Sequence, residues 1–316
     1  MKANPLDFWE KYELINSTNT IAPATKKVNI CRYCGKNENE TTFNQKTHLL
    51  PELLGENNLL SPDECDNCNK LFCDYESHLS IFLRPYTTLM GIKGKKKVPT
   101  FQSRSVERNE STRTILKHVE GRQKQLIIQN IEDYRINKEE KKFEITFRQP
   151  PFIPLKIYKA LLKIGLSLLP VQYDNYNAHC FEWLVNKREA IPFFNYAFMT
   201  TLQRKYFKKA VAELYRAKKF VNKNSELPEH TLILSFANIN IQIFLPFTDE
   251  LMSIHNGKRN LDLNLFPAFI FDSTKEKKAT IKYYDLSVNE PILNDNKIVF
   301  TYEQGHFSDD TPPLTL

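Results

Sequence analysis

The chain has no stretch long and apolar enough to cross a bilayer: the best, residues 155–169, is too short and carries Lys156, Lys159 and Lys163. Residues 1–12 lack the basic-then-apolar order of a secretion signal. No internal repeat is visible, and with eight glycines in the whole chain there is no glycine-rich phosphate loop. These absences exclude a membrane-spanning helix, a repeat array and the common nucleotide-binding loops. They predict a cytoplasmic protein with no membrane partner.

What is present is an ordinary globular composition, 41% hydrophobic and 26% charged. A length of 316 residues suggests about two domains and at least one sizeable core. The formal net charge of +7 is compatible with nucleic acid as a partner. The cations are clustered: residues 93–122 hold nine basic residues against three acidic ones, and residues 204–223 hold eight against one, Glu213. Each run reads either as a solvated face or as a contact for phosphate.

Three segments follow along the chain. Residues 1–25 form an N-terminal arm in which Phe8, Trp9 and Tyr12 anchor a short helix and residues 16–19 read as loop. Residues 26–92 hold a cysteine cluster, and residues 93–316 form a larger domain. There Phe143, Ile145 and Phe147 alternate with polar residues, the period of a strand. Pro154 opens and Pro170 closes a helix over 155–169. A long amphipathic helix is expected over 197–221, with Leu202, Tyr206, Ala210, Leu214, Ala217 and Val221 as its apolar stripe. Lys205, Lys209, Arg216 and Lys219 share another face of it. Strands are expected over 239–243, 261–265, 279–284 and 298–302. The fold class is α+β.

Five of the six cysteines fall between Cys31 and Cys73. Without a secretion signal, cysteines at fixed spacing argue for metal before disulfides. Cys31-x-x-Cys34 and Cys65-x-x-Cys68, thirty residues apart, supply four thiolates, a tetrahedral set that suits Zn²⁺. With every position filled by the protein, this zinc is structural. Cys73 reads as a small buried hydrophobe. Cys180 follows His179, but adjacent side chains seldom face each other, so that pair reads as structural. Between the knuckles, residues 43–51 read as a strand carrying His48, then a turn at Pro51. Asn57 and Asn58 follow, and Asn69 comes directly after the second knuckle.

This order resembles the HNH endonuclease superfamily, a ββα-metal core, and is most similar to the branch with a four-cysteine zinc site and an "AHxxPE…LG…CxxCN" pattern. The likeness covers residues 29–80, about a sixth of the chain. It implies a small zinc-stapled ββα-metal nuclease domain followed by a larger mixed α+β domain. It makes His48 the general base that takes a proton from the attacking water, Asn69 a ligand of a catalytic Mg²⁺ or similar divalent cation, and Asn58 the residue that holds the hairpin loop and orients the histidine. One departure stands out. Many members carry Asp or Glu just before the base, where this chain has Thr47. The compensating carboxylate is expected from Glu76, seven residues beyond Asn69, or from Glu52.

The resemblance implies a hydrolase cutting DNA. Residues 100–316 contain no catalytic motif and leave three physical options: a nucleic-acid clamp, a homo-oligomerisation platform, or a sensor that releases the nuclease when an activating ligand or partner binds. Nucleases with a small HNH head and a large unrelated body often serve in anti-phage defence, an analogy at the level of architecture. The alternative is a non-catalytic zinc module that binds nucleic acid or protein.

Overall fold

The computed structural model describes residues 7–21, 29–94, 97–104, 113–118, 124–128, 134–187, 195–202, 207–218, 225–246, 260–261, 263–268, 279–301 and 314–315. In chain order, helix α1 (Asp7–Lys11) leads into strand β1 (Tyr12–Ser17), and helix α2 (Asp66–Leu89) follows the cysteine knuckles. Strands β2 (Phe101–Arg104), β3 (Arg113–His118), β4 (Lys124–Ile128), β5 (Tyr134–Asn137) and β6 (Lys142–Arg148) come next, then helices α3 (Pro154–Leu168) and α4 (Ala178–Leu184). Strands β7 (Tyr196–Thr201), β8 (Phe207–Ala217), β9 (Ser225–Glu226), β10 (His230–Ala237), β11 (Ile239–Phe244), β12 (Asn260–Leu261), β13 (Thr280–Asp285), β14 (Asp295–Thr301) and β15 (Leu314–Thr315) complete the chain. The protein is mixed α+β, as its pattern predicts.

Two antiparallel sheets flank a helical middle. One has the order β1-β8-β10-β11-β7-β13; the other runs β14-β6-β2-β3-β4-β15, with β5 paired to β6. Helix α3 packs on β8, β10 and β11 on one side and on α2 on the other. Helix α2, at 24 residues, continues to β2 and β3 of the second sheet. A single cluster of buried residues runs from Cys31 through α2 and α3 to Ile243 and Leu286.

Period-two patterning sets the faces of the first sheet. Leu232 and Leu234 point to α3, whereas Ile233 joins Phe8, Tyr12 and Phe266 beneath the opposite face. The isoleucines of β11 likewise face α3. Gln242, on the other face, is buried but satisfied, accepting from the Phe266 amide at 2.7 Å and donating to the Asn264 carbonyl at 2.9 Å.

The helix expected over 197–221 is instead two strands, β7 and β8, and residues 203–206 and 219–224 of that stretch lie outside the described residues. A spacing of four satisfies a helix stripe and one face of a strand alike, so Leu202, Ala210 and Leu214 could not decide. Pairing decides: β8 lies between β1 and β10, hydrogen-bonded to both. Arg216 is no solvated cation, since it pairs with Glu229 at 3.2 Å and lies 4.8 Å over the ring of Tyr173. The strand expected over 261–265 shrinks to β12, because 263–267 is irregular and residue 262 is outside the described set. The N-terminal arm is an edge strand, with β1 reaching Ser17 and paired to β8.

His230 opens β10 with a nearly inaccessible ring, and burial pushes its pKa down from 6.5 to about 4. The folded ring stays neutral where the unfolded one takes a proton, so its contribution to stability is present above about pH 6.5 and is lost as pH falls toward 4. The difference in urea midpoint between the wild type and His230→Gln should therefore narrow across that window. A constant difference would refute the assignment.

Candidate metal centre and the His48 hairpin

The first knuckle is a tight turn. Cys31 accepts from the Gly35 amide at 2.8 Å and donates to the Lys36 carbonyl at 2.8 Å. Gly35 sits at φ +72°, a conformation that residues with a Cβ seldom adopt. The second knuckle is the start of α2: Cys65 is its N-cap, and the Cys65 sulfur accepts from the Cys68 amide at 3.5 Å. The positive end of the helix thus faces the thiols.

The four sulfurs lie within 4.8 Å of one another. Cys31 and Cys68 stand 3.7 Å apart, as do Cys34 and Cys65. That is far too long for a disulfide. It matches the edge of about 3.8 Å of a tetrahedron with metal–sulfur bonds of about 2.3 Å. The bond from Cys68 holds the Cys31 thiol down to about 5, while burial raises Cys34 to about 11 and the same pairing raises Cys68. The shifts favour a thiolate at Cys31 and disfavour further charge at Cys34 and Cys68, so four thiolates together need a cation among them. The donor set therefore fits a closed structural metal site, as the spacing predicts.

His48 lies on the strand-like run after the first knuckle and bridges Leu60 in antiparallel fashion. The Leu49 amide donates to Leu59 at 2.9 Å, and the Ser61 amide to Thr47 at 3.0 Å. Thr47, where the HNH pattern has an acid, is buried, and its hydroxyl donates to the Ser61 carbonyl, so it serves the hairpin. The run is anchored to α2 by Asp66, whose carboxylate accepts from the amides of Gln45 at 2.8 Å and Asn44 at 3.2 Å. The loop itself is closed by Asn57. Its side chain donates to the Leu50 carbonyl at 3.1 Å and accepts from the Leu59 amide at 3.3 Å. Asn58, expected in that role, is exposed on the same loop. Two adjacent asparagines left the sequence without a signal to separate them.

The imidazole of His48 is about a quarter exposed. Its Nε2 stands 3.9 Å from a Glu52 oxygen. Its Nδ1 is buried and has no hydrogen-bond partner. Beneath it lies a charged group that sequence reasoning missed. Lys163 of α3 donates to the backbone carbonyl of His48 at 2.5 Å and pairs with Glu64 at 3.2 Å, both side chains almost fully buried. Burial raises Glu64 to about 7, against the pull of Lys163, with Glu76 adding to the rise. Burial also raises Glu76, with Lys163 opposing and Glu52 reinforcing the shift. Glu64 and Glu76 thus share one amine beside the histidine, and Glu52 lies near Glu76 and the His48 ring.

Asn69 sits in the first turn of α2 and its side-chain oxygen faces the Cys73 sulfur at 3.8 Å. Cys73 is exposed rather than buried. Glu76 is seven residues on, about 10 Å along the axis. Among the described residues, the four cysteines are the one group of three or more His, Cys, Asp or Glu side chains with donor atoms close enough to share an ion. Cys180 and His179 do touch, at 3.3 Å, but both are buried and turned toward the Pro246 carbonyl. No helix among the described residues is long and apolar enough to cross a membrane. No protein-family model, curated protein or solved structure matches the chain.

Two outcomes follow. The purified chain should bind one Zn²⁺ or Co²⁺ through thiolates, visible as a sulfur-to-cobalt absorption band. Cys68→Ser should abolish the band, and affinity should fall with falling pH as protons compete for the sulfurs. Lys163→Met should cost about 3–5 kcal/mol in urea unfolding, because it strands a buried carboxylate. Adding Glu64→Gln should recover most of that loss; a double variant no more stable than the single would show that the pair does not carry the effect.

Proposed function

We propose that the chain is a metal-dependent endonuclease of HNH type that hydrolyses phosphodiester bonds of DNA. The observation that carries this reading is the placement of His48: on a two-rung hairpin, tied through Asp66 to the helix that the four-thiol centre caps, with a partly exposed ring beside the Glu52 carboxylate. An imidazole so held can take a proton from an attacking water, and two fixed supports keep it at one position relative to a bound phosphate.

In this reading His48 removes the proton from the attacking water. Glu52 lies near enough to the ring to stabilise the imidazolium that results. Asn69, Glu52 and Glu76 are the oxygen donors that would hold a divalent cation, whose chemistry is to polarise the phosphate and stabilise the departing oxygen. Mg²⁺ keeps several waters and needs only one or two carboxylates, so a donor set that is not drawn into a shell is compatible with it. Thr47 is buried and uncharged, with its hydroxyl donating to the Ser61 carbonyl, so it does not replace the missing acid. Lys163 fixes the His48 backbone from below.

Supercoiled plasmid with Mg²⁺ or Mn²⁺ tests the reading. The wild type should nick or linearise it, and His48→Ala, with unchanged zinc content, should slow cleavage by roughly 100-fold or more. Cleavage by His48→Ala at the wild-type rate would sink the assignment. Binding without cleavage by the wild type would favour the zinc module as a recognition element.

A further inference from the structure

A groove of about 680 Å³ opens where the hairpin loop meets the first sheet. One wall is the loop itself, residues 54–59, with Asn57 and Asn58 at its rim; the other is the start of β8. Ile92 and Phe236 line it between the two walls. Three cations reach it, Lys93, Lys208 and Lys209, against one acid, Glu56.

The two lysines of β8 are consecutive, and consecutive strand residues normally point to opposite faces. Here the register of β8 with β10 breaks: Val211 pairs with Ser235, but Phe207 pairs with Ala237, so three residues of β8 stand opposite Phe236 alone. Ala237, at the break, has φ +49°. This bulge turns Lys208 and Lys209 into the same groove, and both are exposed there. Bulges of this kind re-aim side chains, and two like charges brought to one concave surface raise the local positive potential that attracts an anion.

The groove also reaches the hairpin that carries His48. Leu59, one of its lining residues, accepts the amide of Leu49, the residue after His48. We propose that this groove binds the phosphate backbone of a single nucleic-acid strand, with the exposed Lys93, Lys208 and Lys209 on phosphates and the exposed Asn58 beside the bases. The proposal rests on the nuclease reading and gives it a substrate path. The larger domain thereby supplies one wall of the substrate site. A concave run of exposed lysines beside an amide is what a strand-tracking channel needs, in which cations follow the backbone.

Fluorescence anisotropy on the full chain tests it, with a labelled oligothymidylate of about 20 nucleotides and no added Mg²⁺. The triple variant Lys93→Ala/Lys208→Ala/Lys209→Ala should bind roughly 100-fold more weakly at 0.1 M salt, and the slope of log affinity against log salt should fall by about 2. Replacing the same three lysines by arginine should keep both within a few-fold of wild type, which separates loss of charge from misfolding. His48→Ala should bind like the wild type. Unchanged binding by the alanine variant, no binding by the wild type, or displacement of the strand by poly-glutamate as readily as by unlabelled oligonucleotide would overturn the proposal. Cleavage by the wild type with binding unaffected in the alanine variant would retain the nuclease reading and remove the groove. Binding lost in that variant with no cleavage by any form would do the reverse.

Discussion

A buried amine ties the cysteine-rich segment to α3. Lys163 lies almost wholly out of water between a backbone carbonyl of the cysteine-rich segment and the Glu64 carboxylate. Removing either charge would leave the other desolvated, which costs far more than a surface pair contributes. The pair therefore has one acceptable partner arrangement, and that arrangement fixes where the hairpin sits on α3. Its neighbours follow the same stripe of α3. Lys156 pairs with Asp74 at 2.7 Å, Lys159 donates to Asn186 at 2.7 Å, and Ser167 meets the Tyr33 hydroxyl at 2.7 Å. At the opening of α3, His78 accepts the Ile153 amide at 3.0 Å.

The lysines of residues 155–169 were read from sequence only as a reason against a membrane span. Their spacing of three and four is also that of one helix face, which a sequence alone would assign to solvent. They instead face α2, because apolar residues cover every other side of α3 and the sheet takes the greasiest one. Arg32 completes the seam. It grips Asp174 with two bonds and donates to the Leu169 carbonyl, so the first knuckle is tied to the end of the same helix.

The metal centre was legible because thiolate chemistry demands a fixed spacing within the chain, and four cysteines in two pairs satisfy it locally. The strands at 143–147 and 239–243 and the helix at 155–169 were legible for the same reason, since their periods are local. What stayed hidden depends on distant partners. Residues 207–217 carry a spacing that two structures share, and only pairing with β1 and β10 selects the strand. Asn57 and Asn58 are identical in type, and only the turn geometry gives the loop to Asn57. Lys163 lies 115 residues from the carbonyl that it holds, beyond any motif.

That separation has a temporal side. A chain emerging from the ribosome presents the knuckles and the hairpin long before α3, and β1 waits still longer for its partner β8. Contacts so far apart in sequence form late and slowly. Metal can clamp the four sulfurs early, yet the hairpin receives its supporting amine only when the following helices have been made and packed. The histidine's final position is thus set only once about half of the chain has been made, well after the knuckles and hairpin themselves.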